Sequence, residues 1–191
     1  IPASEYRRER WRNGLGWTRE IHAHVSPGSQ DWDWRLSIAE IEQDAPFSAF
    51  PGVDRELVLL SGEGLRLRFD NGESHLLPPP HGRMRFAGER VVTGELVDGP
   101  TQDFNLMWRR DVCEAELHHR PLVGPMVFFT EPGATWALHL IAGSARFDGA
   151  PELPELQTGD TALLSEPARK RFLLDGGGEL LAIRIAPVPL R

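Results

Sequence analysis

Seven histidines are the side chains best suited to hold a metal, and their spacing matters more than their number. In a chain of strands, one way to build an iron, manganese, nickel or zinc site of mixed ligands is two imidazoles on one strand face, a carboxylate close behind and a third imidazole from a later strand. His22-Ala23-His24 aims two imidazoles to one side of an extended segment, but "VSPGSQD" follows with no Glu at ligand spacing. His81 and His139 lack partners, and the adjacent His118 and His119 point apart on a strand. No metal ligand and no cofactor site is assigned. Nucleophile chemistry has less support still. The single Cys113 sits near Asp111 and Glu114, acids that raise a thiol pKa. There is no Gly-x-Ser-x-Gly elbow, and "GLGWTRE" lacks the third glycine of a dinucleotide-binding loop. No catalytic residue is assigned.

Anion recognition is better provided for. In "FSAFPGVDR" (47–55), Pro51-Gly52 suits a type II turn with Gly at its φ > 0 corner, and Arg55 follows as the chain enters a strand. A guanidinium there could grip a carboxylate through two parallel N–H···O bonds, with the Ser48 hydroxyl as a second donor. The competing reading is a surface ion pair of Arg55 with Asp54 or Glu56, worth little. In "WDWRLSIAEI" (32–41), Arg35, Ser37 and Ala39 share one face, opposite Trp32, Trp34, Leu36 and Ile38. The large residues claim a hydrophobic layer, which leaves the Arg35 face to solvent or to a lumen. Asp103 and Asn105 alternate likewise with Phe104 and Leu106; once buried they need partners, from a ligand or from structural bracing. Finally, "WRNGLGWTRE" (11–20) is either a Trp-anchored turn or a loop folded over a pocket. In the second case Asn13, which tolerates the left-handed region, and Thr18 face the pocket, with the tryptophans packed beneath.

The elements that carry these side chains read as strands. Apolar alternation recurs in 55–77, 103–110, 137–147 and 171–187, punctuated by 19 glycines and 16 prolines. Asp70-Asn71-Gly72 is a strong hairpin signal. The one weak helix candidate is "VCEAELHH" (112–119). "ELVLLSGEGLRL" (56–67) echoes "ALHLIAGSARF" (137–147), each reading as apolar strand, small-residue turn, second strand. Two rolls of six to eight strands account for 191 residues. The expected fold is all-β, a bicupin of two cupin-like β-barrels (double-stranded β-helix or jelly-roll) packed together, covering 1–112 and 113–191. A net charge of −7 with scattered arginines argues against a nucleic-acid partner. No apolar run approaches the ~20 residues of a membrane span, and "IPASEYRRER" has no hydrophobic signal core, so a cytoplasmic location is expected.

Four segments taken in order, "WRNGLGWTREI" (11–21), "WRLSIA" (34–39), "FSAFPGVDR" (47–55) and "DFNLM" (103–107), resemble the HutD/Ves family of small bicupins associated with bacterial histidine utilisation. The second half resembles it more loosely, in "LHLIAGSA" and "LQTGD". The family's loop commonly reads Asn-Gly-Gly-Gly; here Leu15 interrupts the glycines. The resemblance implies binding more than catalysis: a small carboxylate from histidine breakdown, such as N-formylglutamate or urocanate, held so as to limit pathway flux. The alternative it leaves open is a cupin enzyme, an isomerase or metal-dependent oxygenase with unrecognised ligands. Homodimers through sheet edges are a further expectation.

Overall fold

The computed structural model describes residues 1–189 and divides into two compact units, 7–112 and a second made of 1–6 with the chain from 113 on. The first unit therefore begins at Arg7 and not at residue 1. No helix among the described residues is long and apolar enough to cross a membrane.

The first unit holds β1 (Arg7–Arg10), β2 (Gly16–His24), β3 (Trp34–Ile41), β4 (Ala45–Pro46), β5 (Val53–Ser61), β6 (Leu65–Phe69), β7 (Ser74–Leu77), β8 (Arg83–Ala87), β9 (Val92–Leu96) and β10 (Thr101–Arg109). One sheet runs β1-β2-β3-β10-β5-β8, the other β4-β9-β6-β7. All its pairings are antiparallel. β10 returns from far along the chain to lie between β3 and β5, so three strands distant in sequence become neighbours. Leu57, Leu59, Leu65, Leu67, Phe69, Leu77, Phe86 and Val92 form a core between the sheets. Each such side chain, fully buried, contributes on the order of 1.5–3 kcal/mol. The opposite faces of β3 and β10 are buried too, through Leu36, Ile38, Phe104, Leu106 and Trp108.

The second unit opens with a single 3₁₀ turn, Ala3–Glu5, and continues with β11 (Cys113–Val123), β12 (Met126–Phe129), β13 (Thr135–Asp148), β14 (Leu156–Gln157), β15 (Thr161–Leu164) and β16 (Arg171–Pro187). Its sheet runs β11-β16-β13-β14, with β12 on β16 and β15 on β13. Tyr6 ties the leading residues in, its hydroxyl 2.6 Å from the Gly159 carbonyl oxygen and 2.7 Å from Thr161 Oγ1. Among the described residues the units thus have ten and six strands, where six to eight apiece were expected.

Two expectations give way here. The helix candidate at 112–119 is the start of β11, paired with β16. Cys113, Ala115 and Leu117 are buried while Glu114, Glu116 and His118 are exposed, a period of two that only a strand satisfies. The second copy of the internal echo is one continuous strand and not two joined by a turn. β13 passes through Gly143 with a bulge between Leu140 and Ala142. Glycine is required there: a Cβ on Gly143 would lie 1.9 Å from the Gly177 oxygen, and one on Gly178 1.8 Å from the Ala142 oxygen.

Candidate functional site

Inside the first unit a cavity of about 410 Å³ opens against the β3-β10-β5 face. All six candidates from the sequence, Arg55, Ser48, Asn13, Thr18, Arg35 and Asn105, lie along its wall. Strand alternation does most of the placing. Arg35, Ser37 and Ala39 of β3, Asp103, Asn105 and Met107 of β10, and Arg55 and Leu57 of β5 all line it. Of the two readings left open for the Arg35 face, it looks into this hollow.

Arg55 is the centre. Its side chain is 5% exposed, and its guanidinium carbon lies 5.4–5.6 Å from the ring centres of Phe47, Phe50 and Phe86. Nη1 donates to the main-chain carbonyl oxygen of Ser48 at 3.2 Å, whereas Nε has no hydrogen-bond partner. Burial, reinforced by the nearby positive charge of Arg35, pushes its pKa down to about 10. Among the described residues no carboxylate pairs with it. The ion-pair reading of Arg55 fails because alternation sends Asp54 and Glu56 to the other face of β5. There Asp54 meets Arg85 and Arg110, each at 3.0 Å, and Glu56 lies 3.8 Å from Arg83. Ser48 meets Arg55 through its carbonyl oxygen; a hydroxyl bond to Arg55 is not what joins them.

Arg35 is held differently. Its Nε sits 2.6 Å from Glu20 Oε2, so its charge is matched from the neighbouring strand. Asp103 is fully buried; Oδ2 accepts from the Thr101 hydroxyl at 2.6 Å and Oδ1 has no partner. Burial drives its pKa up to about 7, opposed only by that hydroxyl. Asn105 donates through Nδ2 to Met107 Sδ at 3.4 Å, a weak acceptor, and its Oδ1 is unpartnered.

The β1–β2 hairpin contributes Glu9, Arg10, Trp11, Arg12, Asn13 and Thr18 to the rim. Trp11 is clamped twice, by its backbone N–H on the Gly16 oxygen and by Nε1 on Thr18 Oγ1, both at 2.9 Å, and it meets Phe47 edge to face. Thr18 is thus engaged by Trp11 as well as lining the cavity. Gly14 takes the φ of +73° that the turn requires, while Asn13 does not adopt the left-handed conformation expected of it. Instead Asn13 Oδ1 accepts the Leu15 N–H at 3.0 Å, which stiffens the turn. Trp17 lies away from the cavity, beneath the guanidinium groups of Arg8 and Arg10.

Histidines are absent from the cavity wall among the described residues. His22 and His24 share a side as expected, and both pack on Trp34, His24 stacked at 5.2 Å; Trp34 points opposite to Arg35. His81 Nδ1 lies 3.0 Å from the Leu59 carbonyl oxygen. Sequence reasoning passed over the aromatic walls Phe47 and Phe50, although both stand in the segment that leads to Arg55, and it left Asp103 open between a ligand contact and a structural brace. Nothing local marks a phenylalanine as the wall of a cation site rather than as core.

The family model described as HutD matches residues 3–182. Protein Ves of Citrobacter koseri is 44% identical over 108 residues, which span 56% of each chain. An uncharacterized 21.2 kDa protein in the hutC 3′ region of Pseudomonas putida is 41% identical over 117 residues, 61% of each chain. The matched segments thus cover less than two thirds of these relatives. Among solved structures, HutD from Pseudomonas fluorescens SBW25 superimposes with a TM-score of 0.84 at 28% identity, over 98% of this chain and 97% of that one. Oxalate decarboxylase from Lactobacillus farciminis, at 10% identity and TM-score 0.65, shares the fold alone, over 98% of this chain and 86% of that one. The fold is the all-β cupin type, and the chain belongs to the HutD family.

Proposed function

We propose that this protein binds a small carboxylate in the cavity of the first unit and acts as a regulatory, non-catalytic binding protein of histidine utilisation. The observation that carries this reading is the buried guanidinium of Arg55, which has no carboxylate partner among the described residues and an unsatisfied Nε. A desolvated charge left unpaired is unfavourable, and an entering carboxylate supplies what is missing, in bidentate geometry. The volume of about 410 Å³ suits a small organic acid. Likeness to a Pseudomonas putida protein from the hutC 3′ region supports the connection to histidine breakdown, and makes N-formylglutamate and urocanate the first ligands to try.

The test is thermal unfolding in the presence of formate, glutamate, N-formylglutamate and urocanate. A ligand at a hundredfold excess over its Kd adds about 2.7 kcal/mol, or roughly 5–11 °C for a chain of this size. Arg55→Met, which removes the charge and keeps most of the volume, abolishes the shift and leaves the apo protein folded. A shift that survives Arg55→Met refutes the assignment, as does a midpoint that none of the four moves at millimolar concentration.

A further inference from the structure

The cavity has two chemically different ends. The register of β3, β10 and β5 sorts the inward side chains into three rows across the sheet. Arg35, Met107 and Arg55 make the first, Ser37, Asn105 and Leu57 the second, and Ala39, Asp103 and Leu59 the third. Successive rows are two residues apart, about 7 Å along the strands. The two cations that these three strands turn inward stand in the first row, while Arg10 and Arg12 reach the rim from the β1–β2 hairpin. The unmet acceptors stand in the other two: Asn105 Oδ1 and Asp103 Oδ1 are buried without a hydrogen-bond partner. Asp103 is held by the Thr101 hydroxyl alone, and no cation shapes its environment.

Buried polar atoms are almost always partnered, and leaving one unmet costs more than an ordinary hydrogen bond yields. Arg55 Nε lacks an acceptor; the Oδ1 atoms of Asp103 and Asn105 lack a donor. One ligand, laid across the rows, answers both deficits only if it has both kinds of group. We propose that the ligand of this cavity carries, besides the carboxylate met by Arg55, an N–H group that donates to the Asp103 and Asn105 oxygens. The inference rests on the carboxylate reading of Arg55 and narrows it. Simple monocarboxylates leave the acceptor end unfilled, and dicarboxylates that lack an N–H set a second acceptor against it. An N-acyl amino acid or an azole bearing an acid side chain satisfies both ends.

The experiment compares two probes that differ in one group, 4-acetamidobutanoate and 4-acetoxybutanoate, where ester oxygen replaces amide N–H. The carboxylate carbon and that group lie about 5 Å apart in the extended chain. Titration calorimetry at pH 8 is expected to show the amide binding at least about tenfold more tightly than the ester. In Asn105→Leu and in Asp103→Leu the preference shrinks while the ester still binds; thermal unfolding checks that each variant is folded. The preference in the unmodified protein needs no variant and decides the matter if one of them fails to fold. Equal affinities for the two probes, both lost in Arg55→Met, overturn this inference and leave the carboxylate reading standing. Failure of both probes, with no effect of Arg55→Met on any carboxylate, overturns the two readings together.

Discussion

Replacing Asp103 by Asn separates a titrating buried acid from a merely polar one, and the sign of the effect follows from its surroundings. In the unfolded chain the carboxyl has its usual value near 3.8; in the folded chain burial raises it to about 7. Between these values the folded protein binds one proton more than the unfolded one, so stability falls as pH rises, by about 1.4 kcal/mol per unit. Over the whole interval the loss is about 4 kcal/mol, of which about 1 is already lost at pH 4.5. Asn has no proton to lose, and it still offers the Thr101 hydroxyl an acceptor. The gain of Asp103→Asn over the unmodified protein should therefore be about 3 kcal/mol larger at pH 8.5 than at pH 4.5. For a chain of this size that is roughly 6–12 °C in the difference of midpoints. Any pH-independent change in packing or hydrogen bonding cancels in this comparison, as do the other titrating groups. Differential scanning fluorimetry at the two pH values, without ligand, is sufficient. Equal gains at both, or a larger gain at pH 4.5, refute the claim that Asp103 is a desolvated carboxyl facing no cation.

Gly178→Ala should lower the midpoint of the second unit by the equivalent of about 3 kcal/mol or more, because the residue has φ +131° and its new Cβ would lie 1.8 Å from the Ala142 oxygen. Thermal unfolding reads it, and a neutral result would mean that β13 and β16 cross by another geometry. Thr18→Val removes the acceptor of Trp11 Nε1. It should cost about 1–2 kcal/mol and change the tryptophan emission; a variant indistinguishable from the parent would show that the clamp does not exist in solution.

Much of the site was legible because strand alternation is a local rule. Once 34–41 and 103–107 read as strands, Arg35 with Ser37 and Asp103 with Asn105 had to share faces, whatever the rest of the chain did. The Pro51-Gly52 turn and the position of Arg55 after it needed nothing more than φ preferences. The strand character of 113–119 was also present, in the alternation of Cys113, Ala115 and Leu117 with Glu114, Glu116 and His118, but the helix-forming Glu, Ala and Leu outweighed it in so short a window. The long strands β13 and β16 were harder. A Gly-rich stretch reads as a turn, and only the close approach of Gly143 to Gly177 and Gly178 shows that two strands bend there together.

Local pattern is enough to establish that the chain is built of strands, which side chains share a face, and where turns free the backbone, since these depend on neighbours a few residues away. Tertiary structure alone decided that β10 would lie between β3 and β5, bringing Arg55, Arg35, Asn105 and Asp103 to one wall. It also decided that Asp54 and Glu56 would be claimed by arginines on the other face, leaving Arg55 without a counter-ion. The physical reason is range: φ/ψ preference and alternation act along the chain, whereas the pairing of charges and the burial of a guanidinium depend on which distant strands come to lie side by side.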